Sequence, residues 1–275
     1  MPIPFFRAIS FLLFALYFTA HCNTKTAHSI SFSLSQKLHI PTLKNINSPL
    51  AINLNIVGYQ KIEIKLGWQL FTVTFKDVQN DKFDVQKEKV VNSDGSDYKS
   101  NNKIKICKIS DGGEYTTIYN YRLSKGGWCQ GAGLVDDGVV TFASGEGVAL
   151  NNSDEMTLFL QVSGEVVLTP VSTEVPASAW KIIGNMTPGT VDIQDVVPYI
   201  GDTVCSNNNK VKICKINTAG EYGTIYNYRK SKGGWCQGSG LIDRGVLTLG
   251  PGEAVAVNNS EASPIVLKFP SPLSE

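Results

Sequence analysis

The chain alternates between apolar and polar residues over most of its length. Ser29–Ser35 (Ser-Ile-Ser-Phe-Ser-Leu-Ser) puts Ile30, Phe32 and Leu34 on one side of an extended strand, and Ile52-Asn53-Leu54-Asn55-Ile56 repeats the pattern. Ile104 and Ile106 alternate with Lys103 and Lys105, while Tyr119 and Tyr121 share one face and Ile118 and Asn120 the other. Val139-Val140-Thr141-Phe142 leads through Gly145-Glu146-Gly147 into Val148-Ala149-Leu150, which predicts a hairpin with glycine available for positive φ. Leu158–Leu168 and Pro264–Phe269 read as closing strands, and Thr169–Ser178, bounded by Pro170 and Pro176, reads as a linker. The only helical turns expected lie around Asp84–Lys89 and Asp192–Val197. The texture predicts an all-β protein.

Residues Lys103–Asn152 return at Lys210–Asn259 without a gap, with roughly 35 of the 50 positions identical. A period of 107 residues is the size of a small domain and too long for a solenoid unit. The expected architecture is two tandem homologous modules, each a β-sandwich or small barrel of about seven strands. The modules are placed at 57–165 and 166–275, after a signal peptide at 1–29 and an N-terminal extension at 30–56.

Arg7 followed by the apolar stretch Ile9–Ala20 has the form of a secretory signal, shorter than the about 20 residues of a membrane-spanning helix. Cleavage is expected after Cys22 or after Ser29; an uncleaved anchor and acylation at Cys22 are the alternatives. The protein is therefore expected to be secreted, periplasmic or at the cell surface, with no transmembrane span once the signal is removed. In an oxidising compartment the duplicated cysteines predict the disulfides Cys107–Cys129 and Cys214–Cys236, with Cys205 free. Buried free thiols are the alternative.

The three histidines, His21, His28 and His39, all precede the repeats, which argues against a Ser-His-Asp or Cys-His nucleophile and against a histidine-ligated metal. No cofactor is expected. The net charge of +1 gives no case for nucleic acid. Carboxylates recur as Glu114, Asp136 and Glu146, and as Glu221, Asp243 and Glu253, in glycine-rich turns that favour solvated turn residues, with calcium ligation as the alternative although no Asp-x-Asp-x-Asp-Gly run occurs. The sequons at Asn151, Asn185 and Asn258 matter only in a glycosylating host. The recurring aromatics are more suggestive. Tyr119, Tyr121 and Arg122, repeated as Tyr226, Tyr228 and Arg229, could form a face that stacks on sugars or anchors a protein. Tyr and Trp at strand spacing also build cores, with Trp128 and Trp235 expected to be buried beside their cysteines.

Gly67-Trp68, the Val57-Gly58-Tyr59 entry, the Asp-x-Gln segments Asp84-Val85-Gln86 and Asp192-Ile193-Gln194, and the Gly145-Glu146-Gly147 turn resemble tandem Gly-Trp-opened β modules of secreted bacterial proteins. The resemblance spans approximately Val57–Phe269, implies export and β modules, and carries no catalytic residues. The second copy departs from it with Ala179 before Trp180 and Glu253-Ala254 after Gly252. The expected function is a non-enzymatic binding or structural repeat protein, engaging a surface glycan or a protein. The alternative is a glycan-cleaving hydrolase using Glu114 or Glu221 with Asp136 or Asp243.

Overall fold

The computed structural model describes residues 57–76, 82–84, 89–136, 140–143, 145–166 and 170–270, all within one compact unit. The signal segment, the N-terminal extension and part of the expected turn at Asp84–Lys89 lie outside the described residues.

In chain order the first half holds β1 (Val57–Ile64), β2 (Gly67–Thr72), β3 (Phe75–Lys76), β4 (Lys82–Asp84), β5 (Lys89–Val91) and β6 (Asn101–Ile109). It continues with β7 (Tyr115–Arg122), β8 (Gly127–Gln130), β9 (Gly133–Leu134), β10 (Thr141–Ala143), β11 (Gly147–Asn152) and β12 (Leu158–Val166). The second half holds β13 (Val171–Val175), β14 (Ala179–Gly184), β15 (Val191–Asp192), β16 (Val197–Ile200), β17 (Thr203–Val204) and β18 (Val211–Ile216). It ends with β19 (Tyr222–Arg229), β20 (Gly234–Gln237), β21 (Gly240–Leu241), β22 (Thr248–Leu249), β23 (Ala254–Asn259) and β24 (Ile265–Phe269). The protein is all-β; among the described residues the helical segments are three-residue 3₁₀ turns, at Leu123–Lys125, Ile193–Asp195 and Lys230–Lys232.

Strand pairing runs in parallel through the two halves. One six-stranded sheet has the order β2-β11-β6-β7-β8-β9 and the other β14-β23-β18-β19-β20-β21, position for position the same path. Smaller sheets match as well: β12 takes β1 and β5 as partners, as β24 takes β13 and β16, and β10-β4 corresponds to β22-β15. Each half closes its own core. Ile64, Ile104, Ile106, Trp128, Leu150 and Leu160 meet in one cluster, and Ile183, Ile213, Trp235, Val257 and Leu267 in another. The strand period of two sends Ile104 and Ile106 inward and the intervening lysines outward.

Two sequence expectations need correction here. Val171–Val175 is no linker but strand β13, paired over its whole length with β24. Val171, Thr173 and Val175 are buried and Ser172 and Glu174 exposed, a half-buried alternation that the flanking prolines obscured. The segments around Gly145 do not form a hairpin either: β10 pairs with β4, while β11 pairs with β2 and β6. The turn at Gly145, φ +77°, passes the chain from one sheet to another.

A third apolar cluster joins the halves. It gathers Leu70, Cys107 and Ala149 from the first and Ile182, Cys214, Ala254 and Ala256 from the second, flanked by Trp68, Tyr115 and Trp180. Its backbone contacts come in matched pairs: Trp68 N–H donates to Thr218 O at 2.9 Å and Trp180 N–H to Asp111 O at 2.9 Å. Thr72 N–H donates to Gly252 O at 2.9 Å and Gly184 N–H to Gly145 O at 3.1 Å. Each bond has its counterpart with the roles of the halves exchanged, which is the signature of an isologous, two-fold contact built within one chain.

Candidate functional site

The aromatic residues expected to bind fall on the inner side of their strands. Tyr119 and Tyr121 are buried in the first core and Tyr228 in the second, with Tyr226 packed partly against it. Tyr121 meets Trp128 edge-on with centroids 5.5 Å apart, and Tyr228 meets Trp235 in the same way at 5.4 Å. Trp235 Nε1–H is satisfied by Val196 O at 2.8 Å. These rings serve packing, so they do not present the predicted recognition face. Arg122 and Arg229 belong to the other face, because neighbouring positions on a strand point to opposite sides. Asn120, Arg122 and Lys105 therefore share the outer surface, where the ladder sets Lys105 beside Asn120 and Lys212 beside Asn227.

The predicted disulfides are absent. Cys107, Cys129, Cys205, Cys214 and Cys236 are all free and buried. The reason is sheet order: β7 lies between β6 and β8, so Cys107 and Cys129 sit on strands two apart, with β19 likewise between Cys214 and Cys236. Two strand spacings are about 9.5 Å, beyond the about 7 Å that a disulfide allows between Cα atoms. Burial pushes the thiols of Cys107, Cys214 and Cys205 up to about 11, and nearby Glu261 adds to the effect at Cys205. Thiolate, the reactive form, is thereby suppressed.

The carboxylates are dispersed. Glu114 stands at the turn before β7, whereas Asp136 follows β9 at the level of Arg122. Eight residue steps along the strand separate those levels, about 27 Å, against the about 5–9.5 Å between paired glycosidase carboxylates. Glu146 is engaged locally, accepting from Lys108 Nζ at 3.3 Å and from Ala143 N–H at 3.0 Å; Glu253 repeats this with Lys215 at 3.5 Å and Gly250 at 3.2 Å. Glu221 accepts from Asn217 Nδ2 at 3.0 Å, and Asp243 is exposed. Asn185 is buried, its amide donating to Gly189 O and Leu249 O, so its sequon is closed to modification in the fold.

What the outer surface does assemble is a clamp around each arginine. Asn102 takes the left-handed conformation, φ 61°, and the β6–β7 register shifts between Asn101 and Lys105. That bend brings Asn102 Oδ1 to Arg122, whose Nε–H donates to it at 2.5 Å. Asn101 Oδ1 accepts from Ser124 N–H at 3.2 Å and from its hydroxyl at 3.1 Å, tying the start of β6 to the 3₁₀ turn after β7. The second half repeats the arrangement: Asn209 at φ 65°, Arg229 Nε–H donating at 2.6 Å, and Ser231 N–H donating to Asn208 Oδ1 at 3.3 Å. Each turn ends on a left-handed glycine, Gly126 or Gly233.

The clamp occupies only the Nε edge of each guanidinium. Among the described residues neither arginine takes part in an ion pair, and neither do Lys103, Lys105, Lys125, Lys210, Lys212 and Lys232, which stand around them. Sequence reasoning singled out both arginines but missed their asparagine partners. The signal was present, since Asn101-Asn102-Lys103 recurs as Asn208-Asn209-Lys210, two residues ahead of the long identity. Among the described residues no group of three or more His, Cys, Asp or Glu is placed to hold a metal. No helix among them is long and apolar enough to cross a membrane, a statement that does not bear on β-barrels. No family model, no curated protein and no solved structure matches the chain.

Proposed function

We propose that this is an exported, non-catalytic binding protein, built from two homologous β modules near 57–165 and 166–275 that each carry one copy of the same recognition surface. The carrying observation is that identity between the halves extends to residues with no packing duty. Lys103, Lys105, Asn120, Arg122 and Lys125 stand at least partly exposed on the first half, and the same residue types recur in the same setting at Lys210, Lys212, Asn227, Arg229 and Lys232. Core residues recur because the fold needs their shape; outward side chains need another reason. Two copies on one chain raise avidity for a repetitive or multivalent partner without any new contact. The isologous seam supports a fixed pair of surfaces over a flexible adhesive array. A surface glycan or a protein is the partner class proposed.

A glycan array probed with the fluorescently labelled chain, lacking residues 1–29, tests this reading. Retention on a subset of glycans, lost when Asn120 and Asn227 are both changed to alanine, is the expected result. An array empty at micromolar protein would remove glycan recognition and leave an interaction scaffold in its place.

A further inference from the structure

The two arginine clamps point to a ligand class. We propose that each is an oxyanion subsite for an acidic polysaccharide, bound through its sulfate or uronate groups. The inference rests on the binding reading above and specifies what is bound.

With Nε held by Asn102 or Asn209, the arginine side chain is oriented before any ligand arrives, and both Nη groups keep free N–H donors. A guanidinium offers such donors in a planar fork that matches carboxylate or sulfate, and prior orientation lowers the entropy lost on binding. Each asparagine keeps a left-handed backbone that is uncommon outside glycine, at the same position in both halves. Asn adopts this region more readily than other residues with a side chain, so the bend is held in both halves by the same local chemistry.

Charge points the same way. Lys103 and Lys105 lie on the β6 side of Arg122, and Lys125 lies on the turn that follows it. The second site gains another cation, since Lys230 stands where the first has Leu123. Asp136 and Asp243 stand beyond β9 and β21, about two strands from the arginines, and form no ion pair with them. A net charge of only +1 over the chain means that this is a local patch and not a general property.

Among polyanions, a polysaccharide fits best. Single-stranded nucleic acid favours stacking platforms, but Tyr121 and Tyr228 are buried, and a net charge of +1 is low for a protein that tracks a phosphate backbone. A lipid surface would seat apolar side chains beside the cations; Leu134 and Leu241 are exposed on this face, while Leu123 gives way to Lys230, and vesicles are the competing outcome to be measured. A linear polymer with an anion on every repeating unit offers both sites the same ligand group.

Binding of the chain lacking residues 1–29 is measured by biolayer interferometry. The probes are a sulfated polysaccharide (heparin), polygalacturonate, neutral dextran, a DNA duplex, and vesicles of phosphatidylcholine with and without phosphatidylserine. The proposal expects at least one acidic polysaccharide to bind, weakening as sodium chloride rises from about 50 to about 300 mM. The double variant Arg122→Gln/Arg229→Gln should lose at least roughly tenfold, each single variant losing less and Arg229→Gln more than Arg122→Gln. Lys105→Gln/Lys212→Gln, which disturbs no hydrogen bond, should also weaken binding and serves if the arginine variants fold poorly. Acidic polysaccharide binding unchanged in both double variants overturns the clamp as the site. Preference for dextran overturns the ligand class while leaving glycan binding standing; tighter binding to DNA or to phosphatidylserine vesicles likewise overturns it. No binding to any polysaccharide, together with an empty glycan array, removes both readings.

Discussion

At the scale of single residues, burial decides what the cysteines do. Five thiols sit away from water, and those of Cys107, Cys205 and Cys214 hold their protons to about 11. Such thiols can stay unpaired even in oxidising surroundings, because exchange needs an accessible thiolate. The native protein should therefore resist iodoacetamide at pH 8. In denaturant without reductant, intact-mass analysis should find Cys107, Cys129, Cys205, Cys214 and Cys236 all alkylated. Loss of two or four labels, restored by reductant, would reinstate the disulfides. One difference between the halves also lives at this scale. Tyr98 donates to Asp154 at 2.5 Å, whereas the aligned positions hold Cys205 and Glu261, and Glu261 is bonded instead by Asn207 at 2.9 Å. The same core position thus tolerates a phenol or a thiol when the carboxylate beside it finds another donor.

At the scale of elements, the ends of β7 and β19 lock the halves together. Tyr115 stacks on Trp68 with centroids 4.7 Å apart and donates to Gly220 O at 2.7 Å, while Tyr222 stacks on Trp180 at 4.8 Å and donates to Gly113 O at 2.5 Å. A Cβ on Gly113 would stand 3.0 Å from the Trp180 indole, and one on Gly220 3.0 Å from that of Trp68, so the hairpin tips need glycine for closeness as well as for φ. Burial pushes both phenols up to about 12, with help at Tyr115 from Tyr222 and at Tyr222 from Cys214. Between about pH 10 and 12 the unfolded chain has lost protons that the folded chain retains, so stability falls as pH rises through this window. The buried thiols contribute a similar fall from about pH 9 to 11. Urea denaturation at pH 8, 10 and 11 should show the midpoint dropping, and Tyr115→Phe/Tyr222→Phe should flatten the drop above pH 10. A midpoint independent of pH across this range would contradict the phenol assignment.

At the scale of the whole molecule, the seam makes each half a partner for the other. An isolated half would expose Trp180, Ile182, Cys214 and Ala256, or their counterparts Trp68, Leu70, Cys107 and Ala149. Those faces are self-complementary, because the paired backbone bonds and ring stacks of the seam recur with the halves exchanged. Residues 170–270 expressed alone should self-associate, running as a dimer at tens of micromolar by light scattering. Ile182→Asp should prevent this by placing a charge in the apolar patch. A monomer stable at every concentration would mean that the seam contributes little to folding.

The sequence by itself determined what depends on local order. Alternation of apolar and polar residues dictates strands, so the all-β class, the inward Ile104 and Ile106 and the closing strands β12 and β24 were legible. Repetition of residues brings repetition of environment, so equivalent strands in the two halves could be matched before any fold was known. Tertiary structure decided whatever depends on which strands become neighbours. Spacing suggested that Cys107 could reach Cys129, but β7 intervenes, a fact of sheet order that no local pattern carries. Alternation placed Tyr119 and Tyr121 together without saying which face was inward; the core claimed them and left Arg122 outside. The left-handed turn of Asn102, the clamp it forms and the two-fold seam all join residues distant in the chain. They follow from packing, because only the folded sheets bring β6 beside β7 and one half against the other.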